Sequence, residues 1–507
     1  MSFSPEALLE GLDDSQRAAA TAVEGPVRII ACAGAGKTRT ITRRIAYACA
    51  MGKWDSSRVL AVTFSVKAAS EMRSRLSALG VADGAVIATF HSAALQQIRS
   101  VWDDVCTAPF PDIMNDAQHT IAAALNRYPD FAMMTALQAR DIMAEINWAK
   151  VSLIAPDDYM RVCSATHRTP PAGLEAQQFV DVYEAYEIEK NARNCIDFND
   201  ILLLACHILR TFPEAARRIR QTIGWITVDE YQDVSPLQHE LLRLWMGENR
   251  DICVVGDPAQ TIYSFAGASS YDLLAFPQEF APVSADISLD TDYRSTERII
   301  GLANRVLAAS PYKRDYVKVK AVSKGGSRVT QQVFATDIDE ALGVAQQIAK
   351  LVSSGVATPG ECAVLTRTNA QQQVICSALT SLKVPYRVRK DVGWQKNVLD
   401  ASGVVTGVVT GAASGDVGEA EGGASVSTVT ISTIHAVKGL EFEHVYVVGC
   451  SEGLIPFGSS SSQESLEEER RLMYVAVTRA EKTLHLSYAL RKDNGMGMNR
   501  TPSRFLA

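Results

Sequence analysis

No Cys-x-x-Cys pair, no cluster of cysteine with histidine and no run near ~18 apolar residues occurs in the 507 residues of this chain, nor does it carry an excess of basic residues. Each absence removes a class of protein. The ten cysteines are scattered, so neither a disulfide framework nor a zinc or iron–sulfur site is indicated, and a reducing cytosol fits best. Without a long apolar run there is no candidate membrane span. Met1 to Gln16 also lacks the basic start and apolar stretch of a secretory leader. Fifty Lys and Arg against 57 Asp and Glu give a net charge of −7, which argues against a histone-like or repressor-like binder. A narrow basic groove can still coexist with an acidic exterior. Solenoid-type repeats are missing as well.

What remains is an ordinary globular composition, with 47% apolar and 21% charged residues, 32 glycines and 18 prolines. The length is about three times a ~150-residue domain, so several cores are expected. Val27 to Ala31, Val59 to Val62 and Val86 to Ala88 read as buried strands separated by helical stretches, the pattern of a doubly wound parallel sheet. From Ser100 to about Asn194 the pattern is helical, and strands return at Trp225 to Val228 and Ile252 to Val255. A second alternating unit carries strand candidates at Val329 to Phe334, Ala363 to Leu365, Val429 to Thr433, Val445 to Val448 and Leu484 to Tyr488. The expectation is an α/β protein of two tandem P-loop-type domains with parallel sheets. The first domain is assigned to 1–99 and 195–283 around a helical insertion at 100–194, and the second to 284–398 and 429–507. The intervening 399–428 is rich in Gly, Ala and Ser and reads as a flexible linker. Ser459 to Ser462 reads as a surface loop.

Two local constellations carry chemistry. Ala31 to Thr38, ACAGAGKT, follows a strand and opens a helix, the setting in which backbone N–H groups of Ala33, Gly34, Ala35 and Gly36 wrap phosphates. Lys37 would reach the β/γ oxygens and Thr38 would ligate Mg²⁺, with Arg39 following. A glycine turn capping a helix is the plainer alternative. VDEYQD (228–233) places Asp229 and Glu230 just beyond a buried strand, where Asp229 would hold Mg²⁺ and Glu230 would orient or deprotonate the attacking water. An acidic turn capping the next helix is the alternative there.

With these in place, the chain resembles the UvrD/Rep-type branch of superfamily 1 DNA helicases, and the resemblance runs from Leu12 to the last residues. LDDSQR (12–17) resembles its adenine-reading Q motif, with Gln16 as the adenine contact. AVTFSVKAASEM (61–72) and ATFHS (88–92) resemble its early DNA-contact motifs. VDEYQD, VVGDPAQTIYSFAGA (254–268), DYRST (292–296), STIHAVKGLEF (432–442) and EEERRLMYVAVTRA (467–480) resemble its second to sixth motifs. The resemblance implies that Gln260 senses the γ-phosphate, Tyr293 stacks on adenine and Glu441 touches the ribose. It also implies that Arg294 and Arg479 reach the γ-phosphate from the second domain, where an inserted guanidinium is worth ~10³–10⁵ in rate. By the same resemblance Thr63, Phe64, His91, Tyr263, Phe265 and His435 line a single-strand track; the plainer reading of an isolated aromatic near a strand end, Phe64 above all, is core. Lys313, Arg314, Lys318, Lys320, Lys324 and Arg328 form a basic stretch that either meets phosphates or is a solvated loop.

The chain also departs from the family. Ala266 stands where family members carry Arg, Val66 where Asn is frequent, and Ala259 where a polar residue is common. The 399–428 stretch stands where relatives carry a swivelling helical subdomain, and no nuclease or zinc domain is expected beyond PSRFL (502–506). The expected function is an ATP- and Mg²⁺-dependent 3′-to-5′ translocase or helicase acting on single-stranded and tailed duplex DNA in repair, recombination or replication. The expected location is the cytoplasm, at the nucleoid of a prokaryotic or phage-infected cell. The alternatives are a motor subunit whose nuclease or repair partner supplies the rest, and a non-hydrolysing DNA-binding scaffold. A small-molecule kinase or GTPase shares the glycine loop but leaves the later motifs unexplained.

Overall fold

A computed structural model describes residues 3–81, 84–114, 117–389, 398–399, 405–406, 427–458, 462–492 and 499–506. The linker expected at 399–428 lies almost entirely outside them, as do residues 459–461 of the serine loop. The first sheet holds six parallel strands: β1 (Val27–Ala31), β2 (Val59–Thr63), β3 (Val86–Thr89), β4 (Trp225–Val228), β5 (Ile252–Gly256) and β6 (Ala285–Leu289), in the order β3-β2-β4-β5-β1-β6. All five residues of β2 are buried, as expected for a parallel strand covered on both faces. Its side chains alternate between two cores. Leu60 and Val62 pack with Phe90 and Trp245 on one face, and Val59 and Ala61 with Ile41, Ile45 and Trp54 on the other.

Next comes a two-stranded parallel unit, β7 (Thr291–Thr296) with β8 (Lys320–Ser323). The second sheet is again six parallel strands: β9 (Thr330–Thr336), β10 (Cys362–Thr366), β11 (Tyr386–Arg389), β12 (Val429–Thr433), β13 (Phe442–Val447) and β14 (Ala480–Arg491), ordered β9-β14-β13-β10-β12-β11. Two tandem α/β units with parallel sheets are therefore present. All ten cysteines are free, and among the described residues no helix is long and apolar enough to cross a membrane.

Two expected boundaries move. The helix Phe90–Val105 passes unbroken through residue 100, because its apolar face (Phe90, Ala94, Leu95, Ile98, Val101) is continuous with the core beneath the first sheet. The insertion instead leaves and returns through a short parallel pair, Asp112 to Ile113 against Cys195 to Ile196, and beyond it has its own core around Ile142, Ile146, Tyr159, Phe179 and Tyr186. The second boundary, expected at 284, falls one strand early. Residues 285–289 pair in register with β1, Val27 opposite Ala285 and Ala31 opposite Leu289, and complete the first sheet.

Candidate functional site

Strands β1, β4 and β5 end side by side, and their C-terminal ends deliver the charged residues to one cleft edge, where parallel α/β sheets bind ligands. After β1 the chain turns through Gly34 (φ 71°) and Gly36 (φ 73°) into α1 (Lys37–Ala50). A Cβ on Gly34 would lie 2.5 Å from Asp292 Oδ1, so the loop can approach β7 this closely only with glycine. The first turn of α1 has neither a side-chain cap nor an acidic residue, which leaves its N–H groups and dipole for an anion.

Lys37 Nζ lies 3.9 Å from Glu230 Oε1. Burial lowers the lysine pKa, but Glu230, Asp257 and Asp229 outweigh it and hold the value above the usual one. The two carboxylates after β4 are driven apart. Burial and then the charge of Glu230 push Asp229 up to about 7, whereas Lys37, Lys438, a hydrogen bond from Gln232 and Arg479 together overcome burial and hold Glu230 below the ordinary carboxylate range. Glu230 itself sits at φ 53°, a left-handed conformation uncommon for a side chain of its size. Asp229, Glu230 and Asp257 thus surround one lysine with carboxylate charge, oxygen donors of the hard type that Mg²⁺ takes. Gln260 Nε2 donates to Asp257 Oδ2 at 2.7 Å.

At the other end of the loop, buried Gln16 donates from Nε2 to Ala35 O at 2.9 Å, and its Oε1 accepts from the Asp13 N–H at 3.2 Å. Its amide holds the Q segment against the glycine loop. Tyr293 N–H donates to Gly34 O at 3.1 Å, its hydroxyl donates to Asp13, and the ring is half exposed. Arg39 Nη2 donates to Gly11 O at 3.0 Å, so Gln16, Arg39 and Tyr293 frame one side of the loop. Ala33 and Ala35 are buried, and Thr38 is half-buried beside Lys37.

Both expected arginines come from beyond the first sheet. Arg294 pairs with Glu441, so the residue expected at the ribose here holds an arginine. Arg479, 2% exposed, donates from Nε to Val475 O at 3.1 Å and from Nη1 to Leu440 O at 2.9 Å. Burial and then the like charge of Arg294 pull it down to about 10, and its charge contributes to holding Glu230 ionised. No carboxylate pairs with Arg479 among the described residues.

Phe64 stacks on Tyr263, with ring centroids 5.5 Å apart and planes 11° apart. Phe265 packs edge-on against both Tyr263 (6.1 Å) and His435 (6.0 Å), and Tyr263 OH donates to His435 O at 3.0 Å. First-domain rings thus meet a second-domain histidine in one cluster, with Phe64 at 42% and Phe265 at 65% exposure. Burial, with Arg367 and Lys438 beside it, pushes His435 down to about 4, so the cluster is uncharged. Two expected strand contacts lie beneath this surface. Thr63 is 1% exposed at the end of β2, and His91 is buried and stacked on Phe198 at 3.7 Å, its pKa pushed by burial to about 3. Lys313, Arg314, Lys318, Lys320, Lys324 and Arg328 are all exposed, and Lys320 pairs with Asp290 at 2.6 Å.

Sequence reasoning passed over Asp257, Asp292 and Lys438. All three stand inside the quoted motifs, but their roles arise from other elements. Lys438 Nζ donates to Asp233 Oδ2 and to Gln260 O in the first domain, and lies 5.1 Å from the Tyr263 ring centre. It therefore touches the carboxylate cleft and the aromatic cluster at once.

Comparison with known proteins follows the same outline. The UvrD/REP helicase N-terminal domain matches residues 12–281, and the UvrD-like helicase C-terminal domain matches residues 287–395 and 415–491. The chain is 37% identical to the ATP-dependent DNA helicase UvrD2 of Mycobacterium tuberculosis over 586 residues, covering 100% of this chain and 82% of the relative. It is 26% identical to the ATP-dependent DNA helicase PcrA of Bacillus subtilis over 655 residues (100% and 87%), and 26% identical to the DNA helicase II of Haemophilus influenzae over 646 residues (99% and 87%). Each alignment is longer than this chain, so the relatives carry residues within the matched span that it lacks.

Proposed function

The chain belongs to the UvrD/REP helicase family, and on that premise we propose that it is an ATP-hydrolysing DNA motor that moves 3′-to-5′ along single strands and opens tailed duplexes in repair, recombination or replication. The observation that carries the reading is the convergence of Lys37, Asp229 and Glu230 from one sheet with Arg479 from the other, next to an exposed aromatic cluster that also draws on both domains.

In this reading the glycine loop and the α1 N-terminus hold the triphosphate, and Lys37 neutralises its β/γ oxygens. Magnesium held by Thr38 and Asp229 would neutralise further charge on the same oxygens. Glu230, kept ionised by its cationic neighbours, is the group equipped to orient water and accept its proton. Gln260, fixed by Asp257, senses the γ-phosphate in this reading. Arg479 and Arg294 complete the charge around the transferring phosphoryl group, which makes turnover depend on domain approach. Tyr293 and Gln16 flank the base end, and Glu441 exchanges Arg294 for the ribose when nucleotide is present. Phe64, Tyr263, Phe265 and His435 offer neutral π faces to successive bases, which suits binding with little sequence preference.

ATPase rates with and without single-stranded DNA, together with strand displacement on 3′-tailed, 5′-tailed and blunt duplexes, test this directly. The expected pattern is strong stimulation by single strands and displacement of 3′-tailed substrates only. Lys37→Ala and Glu230→Gln should each abolish hydrolysis, on the order of 10²–10⁴-fold for the base alone, in a folded protein. Normal turnover in either variant, or an ATPase indifferent to DNA, ends the proposal. A second reading, a motor that unwinds poorly without a partner, gains support from the relatives' additional residues. It predicts stimulated ATPase without displacement by the purified chain.

A further inference from the structure

The opposite edge of the first sheet carries a cavity to which the motor reading gives no task. The helix Pro213–Gln221, PEAARRIRQ, buries Ala215, Ala216 and Ile219 and thereby turns its arginines outward. Arg217 and Arg220 meet Arg210 from the preceding helix and Arg58 from the turn before β2 around a cavity of about 600 Å³ floored by Leu209 and Ala216. It lies at the N-terminal ends of β2 and β4, whereas Lys37 and Asp229 stand at the C-terminal ends of the parallel strands.

No carboxylate lines this cavity. Arg210 pairs with the half-buried Glu240 at 2.7 Å, and Arg217 pairs through both Nη atoms with the exposed Glu214 at 2.8 and 2.9 Å, so these two arginines are already partly neutralised. Arg58 and Arg220 have no carboxylate partner among the described residues. They are instead fixed by backbone: Arg58 Nε donates to Gln221 O at 3.1 Å and Arg220 Nε to Leu244 O at 2.8 Å. Two glycines make room for them, since a Cβ on Gly224 would lie 3.3 Å from Arg58 Cβ and one on Gly247 (φ 55°) would lie 3.0 Å from Arg220 Nε. The Arg58 guanidinium also lies 6.0 Å from the Trp225 ring centre, itself stacked on Trp54. Each fork is thus oriented through its Nε without a carboxylate bonded to it, although Asp55 contributes some opposite charge near Arg58, in a chain whose overall charge is −7.

We propose that this cavity docks an acidic segment of a partner protein, in which an apolar side chain flanked by carboxylates seats on Leu209 and Ala216 between the arginines. Charge complementarity selects the acidic partner, and the apolar floor selects a peptide over a nucleic-acid backbone. A pocket of this size admits one or two side chains, not the width of a duplex.

Fluorescence anisotropy with the full chain and a fluorescein-labelled Asp-Glu-Glu-Leu-Glu-Asp peptide tests the proposal. Binding is expected at about 50 mM salt, weakening as salt rises, with the Leu-to-Ser peptide binding more weakly. Arg58→Glu with Arg217→Glu should weaken the peptide at least about ten-fold while leaving the DNA-stimulated ATPase unchanged. Arg210→Glu provides an independent variant at a solvent-exposed position if the double variant melts early. Absence of peptide binding, equal binding by the variants, or equal binding of the Ser peptide overturns the proposal. So does loss of labelled duplex DNA binding, rather than peptide binding, in the arginine variants, which would assign the cavity to nucleic acid.

Discussion

The carboxylate cleft and the aromatic cluster both draw on the two domains, yet they are built by opposite rules. The cleft is buried and charged: Asp229, Asp233 and Asp257 all have pKa values raised chiefly by burial, against Lys37, Lys438 and Arg479. The cluster is exposed and neutral, with Phe64 and Phe265 open to solvent and His435 uncharged. In the cleft a misplaced or missing charge has few substitutes, because each group sets the protonation of its neighbours. In the cluster the rings touch one another only by packing, and on the proposed reading bases of any kind use them. Chemistry is therefore expected to fail steeply and strand binding to fail in steps.

The largest effect should come from Arg479→Ala, which removes the guanidinium proposed to meet the phosphoryl group. A loss of ~10³–10⁵ in kcat is expected, with single-strand affinity nearly unchanged. Steady-state ATPase and DNA titration on the same preparation read both quantities, with a thermal melt to check folding. A kcat within a few-fold of the parent would break the contrast, because Arg479 would then be a structural cation bonded to Val475 and Leu440.

Lys438 is where the two regions touch, so it sharpens the comparison. Lys438→Met keeps the chain length but removes the bonds to Asp233 and Gln260 O and the charge beside Tyr263. Basal hydrolysis should fall, because Lys438 helps to hold Glu230 ionised, and stimulation by DNA should drop about ten-fold or more beyond that. Equal loss of basal and stimulated rates would mean that Lys438 serves the cleft alone. Phe265→Ala, in contrast, should cost ~1–3 kcal/mol of single-strand affinity and leave DNA-free ATPase untouched.

Legibility in the sequence follows the range of the interaction. The glycine loop and DEYQD were readable because their ligands come from neighbouring residues at the end of one strand. Asp292 behind Gly34, the Arg294–Glu441 pair and the reach of Lys438 were not, since each depends on a fold-level contact between distant segments. His91 illustrates the same limit. Its motif placed it on the strand track, but Phe198, contributed by a helix after the insertion, covers it. The displaced boundary at 285–289 shares the cause, for its pairing with β1 leaves no mark in local composition, whereas the helix through residue 100 does show in the helical spacing of Phe90, Ala94, Ile98 and Val101.

The smallest effect concerns stability rather than activity, and it separates the regions once more. His91 titrates at about 3 and His435 at about 4 in the folded chain, both depressed chiefly by burial, against about 6.5 when unfolded. Below pH ~6.5 the unfolded chain therefore binds protons that the folded chain refuses, so stability falls as pH drops, by up to about 1.4 kcal/mol per pH unit for each histidine. The loss from His435 levels off near pH 4, while that from His91 continues toward pH 3. Asp229 and Asp233, raised to about 7 and about 6, contribute the opposite slope between pH 7 and 5, so urea melts isolate the histidine contribution as the difference between the parent and His91→Gln, about one proton's worth. Single-strand affinity over the same range should owe nothing to His435 gaining charge, because its ring stays neutral throughout. An unchanged urea slope in His91→Gln would mean that the imidazole reaches solvent, and so could lie on the strand path after all.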